Sequence, residues 1–331
     1  MLNVKNITNF LDTVAPPRLA CAGDRIGLQI GDPSAPVQRI LVTLDVTPEV
    51  IRKAVSKKVQ LIISHHPLIF NPLEKIDFQH PLGAMIQILI KRDIAVFILH
   101  TNLDIAEGGV NDVLAEQYGL TPSKCEPLEV TQREPLYKLT VFVPGDYLES
   151  VRQAMGDAGA GHIGNYSHCT FATAGEGTFL GLEGTSPFIG KTGVLERVHE
   201  KRVETIVPET KLEAVLSAMR TAHPYEEVAY DVYALHQTGK AYGLGRVGVT
   251  KKGERIAVCC GSGGKWMAKA SAMGAKRYVV GEAGYHDLLE ARARGLTVDV
   301  LGHKESEQGI VPVLVAKIKK AFPRLANVST Q

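Results

Sequence analysis

The sequence predicts an α/β protein: a two-lobed core interrupted by an inserted ferredoxin-like α+β domain. Three observations carry this. Residues 39–118 alternate short apolar strands with helical segments, and residues 255–322 repeat the alternation. That order demands right-handed crossovers onto a largely parallel sheet. Between the two stretches, residues 120–135 are polar and hold three prolines, the composition of a linker. Beyond the linker the order becomes β-α-β-β-β-α-β over roughly 100 residues, the size of one small domain. The expected division is a discontinuous core of residues 1–125 and 240–331 around an insert of residues 126–239.

The core begins with VKNITNFLDTVA (residues 4–15), an amphipathic helix stopped by Pro16 and Pro17. DRIGLQIGDP (24–33) reads as a Gly-rich connector. RILVTLDV (39–46) is a strand, and Thr47 with Pro48 caps a helix reaching about Lys58. Val59 to Ser64 is nearly continuous apolar sequence, as in a strand covered on both faces. Pro67 stops it, so His65 and His66 stand at its carboxyl end. A helix over 81–92 and a strand over 94–100 follow. TNLDIAEGGVND is then a loop that carries Asp104 and opens a helix to Tyr118.

In the insert, residues 137–143 are a strand, 146–158 a helix and GHIGNYSHCTFATAGEGTF a hairpin region. Strand 201–207, helix 209–222 and strand 228–235 complete it. The second lobe runs strand 255–260, helix to Gly274, strand 276–282, helix 286–294, strand 297–303 and helix 308–322.

The bulk numbers bound the function. The chain has 331 residues, 45% apolar and 22% charged, enough material for two cores. A net charge of +2 argues against a dedicated nucleic-acid binder. The five cysteines, Cys21, Cys125, Cys169, Cys259 and Cys260, lack CxxC spacing and read as reduced thiols of a cytoplasmic protein. The first residues lack the apolar region of a signal peptide, and no apolar run reaches membrane-spanning length.

Chemistry concentrates where strands end, the place at which open α/β sheets bind ligands. His65 and His66 end one strand. His100 ends the next, with Asp104 four residues on. In the second lobe a strand ends at Glu282 and the next at His303, with Glu307 four residues on. The lobes therefore rhyme, which suggests an internal duplication. Imidazole with carboxylate suits Zn, Mn, Fe, Co or Ni. His65, His66, Asp104, His303 and Glu307 are more ligands than one tetrahedral catalytic site needs. They fit two divalent cations roughly 3.5–4 Å apart, with Glu307 as the bridge. Adjacent His65 and His66 should diverge toward different ions.

Further positions are candidates. His100 is a candidate proton-transfer group, or a hydrogen-bond partner of a ligand; a strand-end histidine bound to backbone is the plain alternative. His286 would orient substrate or simply start a helix. Gly261, Gly263, Gly264 and Lys265 lie in GSGGKW, a strand-to-helix loop able to present N–H groups to a phosphate; a tight turn is the simpler reading. In the insert, His162, His168 and His223 point to oligomer contacts or regulation rather than catalysis.

HHP after an apolar strand, HTNLD, GE-x-x-x-H and GHKESE, in that order, resemble the NIF3-like dinuclear-metal proteins, also called the GTP cyclohydrolase type 2 family. DRIGLQIG and GSGGKW match as well. The insert resembles the CutA1-like, PII-like domain of some members through GNYSHCTF, GEGTF and HPYEE-x-AYDVY. The resemblance implies a toroidal homohexamer with paired metal ions facing an internal cavity, held by the same five ligands. It also implies hydrolytic opening of the guanine imidazole ring of GTP. A metal-dependent phosphoesterase and a non-enzymatic metal-binding regulator remain the alternatives.

Overall fold

A computed structural model describes residues 2–330. The chain divides into two compact units, residues 1–132 with 242–331, and residues 133–241.

The first unit opens with α1 (Val4–Val14), capped by reciprocal Asn3 and Asn6 side-chain bonds. Strands β1 (Gly27–Ile30) and β2 (Arg39–Thr43), helix α2 (Pro48–Ser56), β3 (Leu61–Ser64), α3 (Pro81–Lys91) and β4 (Ala95–Ile98) follow. Short α4 (Thr101–Ile105) and α5 (Val110–Gln117) close the first lobe. The second unit holds most of β5 (Glu129–Pro144), then α6 (Leu148–Asp157), β6 (Thr170–Leu180), β7 (Leu195–Pro208), α7 (Leu212–Ala222) and most of β8 (Tyr230–Leu244). The first unit resumes with β9 (Arg246–Val249), β10 (Arg255–Cys259), α8 (Met267–Ala272), β11 (Arg277–Val280), α9 (Tyr285–Ala293) and β12 (Thr297–Val300). Short α10 (His303–Glu307), α11 (Ile310–Ala321) and β13 (Asn327–Thr330) end it.

Each lobe of the first unit has its own sheet. One runs β1-β4-β3-β2-β13, parallel except for β1; the other runs β12-β11-β10-β9, parallel except for β9. Side-chain alternation splits the strands between two cores. Ile40, Val42, Leu61 and Ile63 enter a core shared with Ile256, Val258 and Val279 of the second sheet, filled by Leu114, Ile310 and Leu314. Leu41 and Ile62 face the other way, onto Val50, Ile51, Ile86 and Leu89 of α2 and α3. Both faces of β3 are therefore covered, which is why its sequence is apolar throughout.

The second unit is a four-stranded sheet in the order β6-β7-β5-β8 with α6 and α7 packed on its Leu139, Val141, Val143 and Val203 face. Its chain order is β-α-β-β-α-β, one strand fewer than expected. The hairpin's return strand and the strand expected at 201–207 are one long β7, paired with β6 from Leu180↔Leu195 to Thr170↔Thr205.

Several local expectations are corrected. The connector at 24–33 contains β1, paired antiparallel with β4. The polar stretch 120–135 already contains the start of β5. Strands β9 and β13 were not expected; at four residues each they are too short to show a period. Asp104 lies on helix α4 rather than in a loop, and His303 opens a helix rather than ending a strand.

Candidate metal centre

The first lobe delivers four side chains to one place. Beyond β3, the His65 N–H donates to the Thr43 carbonyl at 3.2 Å and the His66 N–H to the Leu44 carbonyl at 2.8 Å, so backbone bonds to the neighbouring strand hold both residues. Ser64 Oγ reinforces the bend by donating to the Leu44 carbonyl at 2.8 Å. The rings of His65 and His66 sit 4.8 Å apart and are tilted by 53°. His100, just before α4, brings its ring to 5.3 Å from His65 and 5.8 Å from His66. Asp104 follows one turn later. The second lobe contributes His303 and Glu307 from the two ends of α10.

All four histidines are oriented the same way. Nδ1 of His65 donates to the Leu99 carbonyl at 2.8 Å, that of His66 to Asp45 Oδ1 at 2.8 Å, and that of His100 to Asp24 Oδ1 at 2.7 Å. His303 Nδ1 stands 3.1 Å from Glu282 Oε2. A histidine whose Nδ1–H is engaged presents the Nε2 lone pair on its other side. Those Nε2 atoms converge. His66 and His303 Nε2 are 3.3 Å apart. Glu307 Oε2 is 3.1 Å from His66 Nε2, and Oε1 is 3.2 Å from His303 Nε2 and 3.8 Å from His65 Nε2. Asp104 Oδ1 lies 3.6 Å from His65 Nε2. His65 Nε2 and Glu307 Oε2 are buried without a hydrogen-bond partner. Buried polar atoms left in this way need a partner, and a donor set of imidazole nitrogens and carboxylates fits a divalent cation. Among the described residues, two groups of ligand atoms lie close enough to hold an ion: His65, His66 and His100, and His66, His303 and Glu307.

The charges pull on one another. Burial raises Asp104 above the usual carboxylate range, opposed by the His65 imidazole. Burial alone would lift Glu307 too, but His65 and His66 outweigh it and hold its pKa down to about 2. His66 shows the converse: burial disfavours its charge, yet the Asp45 and Glu307 carboxylates raise it to about 10. Asp24 is held well below the usual range, because the bonds from His100 and Thr101 exceed the cost of burial. The pocket thus strongly favours positive charge at its centre.

Comparison with known proteins fixes the family. The family model for Duf34/NIF3 (NGG1p interacting factor 3) matches residues 2–331. The chain belongs to the Duf34/NIF3 family. A Bacillus subtilis protein named GTP cyclohydrolase 1 type 2 homolog is 44% identical over 331 residues, covering 91% of this chain and 88% of its own. Among solved structures, a Bacillus cereus protein related to NIF3 is 41% identical with a TM-score of 0.86, covering 100% of this chain and 96% of its own. A Staphylococcus aureus protein is 25% identical with a TM-score of 0.71 at the same coverage.

In this Duf34/NIF3 chain the cluster is held by contacts that local sequence patterns do not show. Buried Asn111 on α5 ties the lobes together: its Nδ2 donates to the Asp104 carbonyl at 3.0 Å and its Oδ1 accepts the Cys260 N–H at 3.0 Å. Cys260 Sγ in turn contacts Asp104 Oδ1 at 3.2 Å. Next to Asn111, Asp112 pairs with buried Arg246, which also donates to the carbonyls of Gly243, Gly245 and Ile105. Sequence reasoning missed Asp24, Asp45, Asn111 and Cys260. Asp45 follows β2, so the strand-end rule that singled out His65 applies to it equally.

The remaining candidates sit elsewhere or do different work. Gly261 has φ +59, and a Cβ there would stand 2.8 Å from Glu307 Oε1 and 3.5 Å from His303 Nε2. It is a glycine because the backbone passes directly beneath the ligands. The N–H of Gly261 donates to Ser306 Oγ, that of Gly263 to the Gly261 carbonyl and that of Trp266 to the Gly263 carbonyl. Gly263 is packed against Tyr278 and Gly264 against Asp287, while Lys265 lies over the Trp266 ring at 4.6 Å. The loop is therefore a tight turn under the cluster rather than an open phosphate cradle. His286 is exposed at the start of α9, where its ring meets Tyr285. In the second unit, His162 is exposed, His168 pairs with Asp157, and buried His223 bonds the Phe142 carbonyl and the Tyr225 N–H.

Proposed function

We propose that this chain is a hydrolase dependent on two divalent cations and that it opens the imidazole ring of the guanine in GTP. The observation that carries the reading is the position of Glu307, whose buried carboxylate comes within 3.8 Å of the Nε2 atoms of His65, His66 and His303 together. His65 and Asp104 would hold one cation, His66 and His303 the other, and Glu307 both. The ligands do not choose among Zn, Mn, Fe, Co and Ni. When bound, such a pair supplies a water of lowered pKa and polarises the electrophile. The names of the relatives, GTP cyclohydrolase 1 type 2 homolog, support guanine as the ring attacked.

In this reaction water breaks the C8–N9 bond: its oxygen becomes the formyl oxygen on C8, one of its protons goes to N9 and the other ends on N7. His100 is suited to relay the proton to N9. Its Nδ1–H is fixed on Asp24, its Nε2 is left basic, and its ring borders His65 and His66. Asp24 is itself held by the Thr101 N–H at 3.0 Å, so the pair is rigid. The same reading has the chain work as a homohexamer. Exposed Phe70, Leu73, Ile76, Phe78, Ile88 and Ile90 supply an apolar surface of the kind that marks self-association. No described helix is long and apolar enough to cross a membrane.

The test is GTP turnover by metal-loaded protein, read as loss of guanine absorbance and appearance of a formamidopyrimidine. His65→Ala and Glu307→Gln should lose it together with bound metal. His100→Asn should keep its metal and lose about 100-fold in kcat. Turnover surviving in His65→Ala or Glu307→Gln overturns the assignment. Release of inorganic phosphate with guanine intact would assign phosphoester hydrolysis instead. Full metal loading without turnover would assign metal handling.

A further inference from the structure

The second unit carries a cavity of about 400 Å3 that has no part in the metal centre. Its walls are aromatic. Tyr225 stands at the middle, with ring centroids 6.5 Å from Phe179, 6.3 Å from Phe188 and 4.9 Å from His223. Phe188 is braced edge-on by Tyr147 at 5.6 Å. None of Phe179, Phe188 and Tyr225 belongs to the unit's hydrophobic core, which is aliphatic and built from Leu139, Val141, Val203, Val215 and Met219 among others. Phe188 remains 51% exposed. Folding does not account for three large rings set around a void.

The charged groups lining the cavity are all of one sign. Glu200, Glu226 and Glu227 line it. Glu200 Oε1 accepts the Tyr225 hydroxyl at 2.9 Å, which aims the carboxylate at the rings. Its Oε2 lies against Gly177, where a Cβ would come within 2.4 Å, so the glycine makes room for the acid. Glu226 Oε1 accepts the Ser186 N–H at 3.0 Å, fixing the segment that carries Phe188. Among the described residues, no Lys, Arg or His forms an ion pair with any of the three.

We propose that this cavity binds a small organic cation, an amine or amidine on an apolar body, with its charge at Glu200 and its body against Phe179, Phe188 and Tyr225. The sign follows from both features. Aromatic faces carry the negative end of a quadrupole and attract cations. A neutral apolar occupant would remove water from Glu200 and leave its charge answered by the Tyr225 hydroxyl alone, which is costly. An anion would meet three like charges. The volume is within the range of small-molecule sites, which are mostly apolar with a few placed polar groups.

Calorimetric titration of the full chain with benzamidine and phenethylamine, each against its neutral counterpart benzamide or phenylethanol, tests this. The cations should bind one per chain and at least about 10-fold more tightly than the neutral compounds. Glu200→Gln should abolish the preference, Phe188→Ala should weaken both cations, and neither should change metal content. Tyr225→Phe, which keeps the ring, should keep cation binding. No heat with either cation at millimolar concentration overturns the proposal. So does equal binding of the neutral compounds, or affinity unchanged in Glu200→Gln. A Phe188→Ala chain that loses self-association, with wild-type chain ignoring the cations, would show instead that a second copy fills the cavity.

Discussion

The Nε2 atoms of His66 and His303 face each other at 3.3 Å although 237 positions separate the residues in the chain. Neither Nδ1 is free, since one meets Asp45 and the other Glu282. In their neutral forms both rings therefore present lone pairs to the same small space, with Glu307 beside them. Only a positive charge reconciles such an arrangement, whether a proton or a divalent ion.

The carboxylates behind the histidines should matter almost as much as the ligands. Asp45→Asn weakens the partner that orients His66 and raises its basicity. Partners of this type are worth about 10–100-fold in metal affinity. Competition against a chelator should show a loss of that size in Asp45→Asn, with the number of bound ions unchanged. Affinity equal to wild type would mean that Asp45 does not hold the ring.

Protonation should stand in for metal in the stripped protein, with a definite pH signature. His66 is raised from 6.5 to about 10, so its contribution is complete below pH 6.5 and fades as pH rises through 10. Glu307 is lowered from 4.5 to about 2, so its contribution is complete above pH 4.5 and fades as pH falls through 2. Thermal melts in chelator should therefore peak between these windows and decline on the alkaline side above pH 6.5. Adding a divalent metal should flatten the alkaline decline, because the ion occupies the same lone pairs. His66→Gln should lessen that decline in the stripped protein, leaving the part owed to buried His65, which the Asp104 and Glu307 carboxylates raise against the effect of burial. A stripped protein whose Tm is level from pH 6.5 to 10 would contradict the coupling.

What was legible in the chain, and what was not, divides by range. The inner strands β2, β3, β4, β10 and β11 show as apolar runs because they are buried almost throughout. His65 and His66 announce themselves because Pro67 ends pairing just beyond them. His303 and Glu307 stand four apart, a spacing that any single helical turn brings to one side. Apart from Asp45 at the end of β2, the partners behind them had no such signature. Asp24 lies 76 positions from His100 and Asn111 lies 149 from Cys260, and no local period encodes a bond across that distance. The GSGGKW loop left a tight turn and a phosphate cradle both open for a related reason. A glycine that lets backbone approach a phosphate and one that lets it approach a carboxylate look identical in sequence.

Asn111 is the residue whose loss should loosen the centre without touching a ligand. Asn111→Ala leaves the Cys260 N–H and the Asp104 carbonyl buried and unpaired. Each such group costs about 1–3 kcal/mol. The variant should melt lower and bind metal more weakly. Asn111→Asp keeps one acceptor for Cys260 but sets a carboxylate against the Asp104 carbonyl, so it should do no better. Unchanged melting in both would show that the lobes are held at this seam by apolar packing alone.

Gly261 allows backbone strain to be separated from interference with the ligands. Gly261→Ala places a side chain at φ +59, a conformation costing roughly 1–2 kcal/mol for an L-residue. It also brings Cβ to 2.8 Å from Oε1 of Glu307, which is buried. Gly295 provides the control. Its φ is +68, yet nothing lies within 4 Å of the position its Cβ would take. Gly295→Ala should therefore lower Tm by the conformational cost only and leave metal binding intact. Gly261→Ala should lower Tm further and also displace the carboxylate shared by the two proposed ions, so that fewer ions are retained per chain at equal free metal. Elemental analysis of the two variants after identical dialysis reads the difference directly. Equal metal content would mean that Glu307 yields to the new methyl group and is not the fixed bridge inferred from its position.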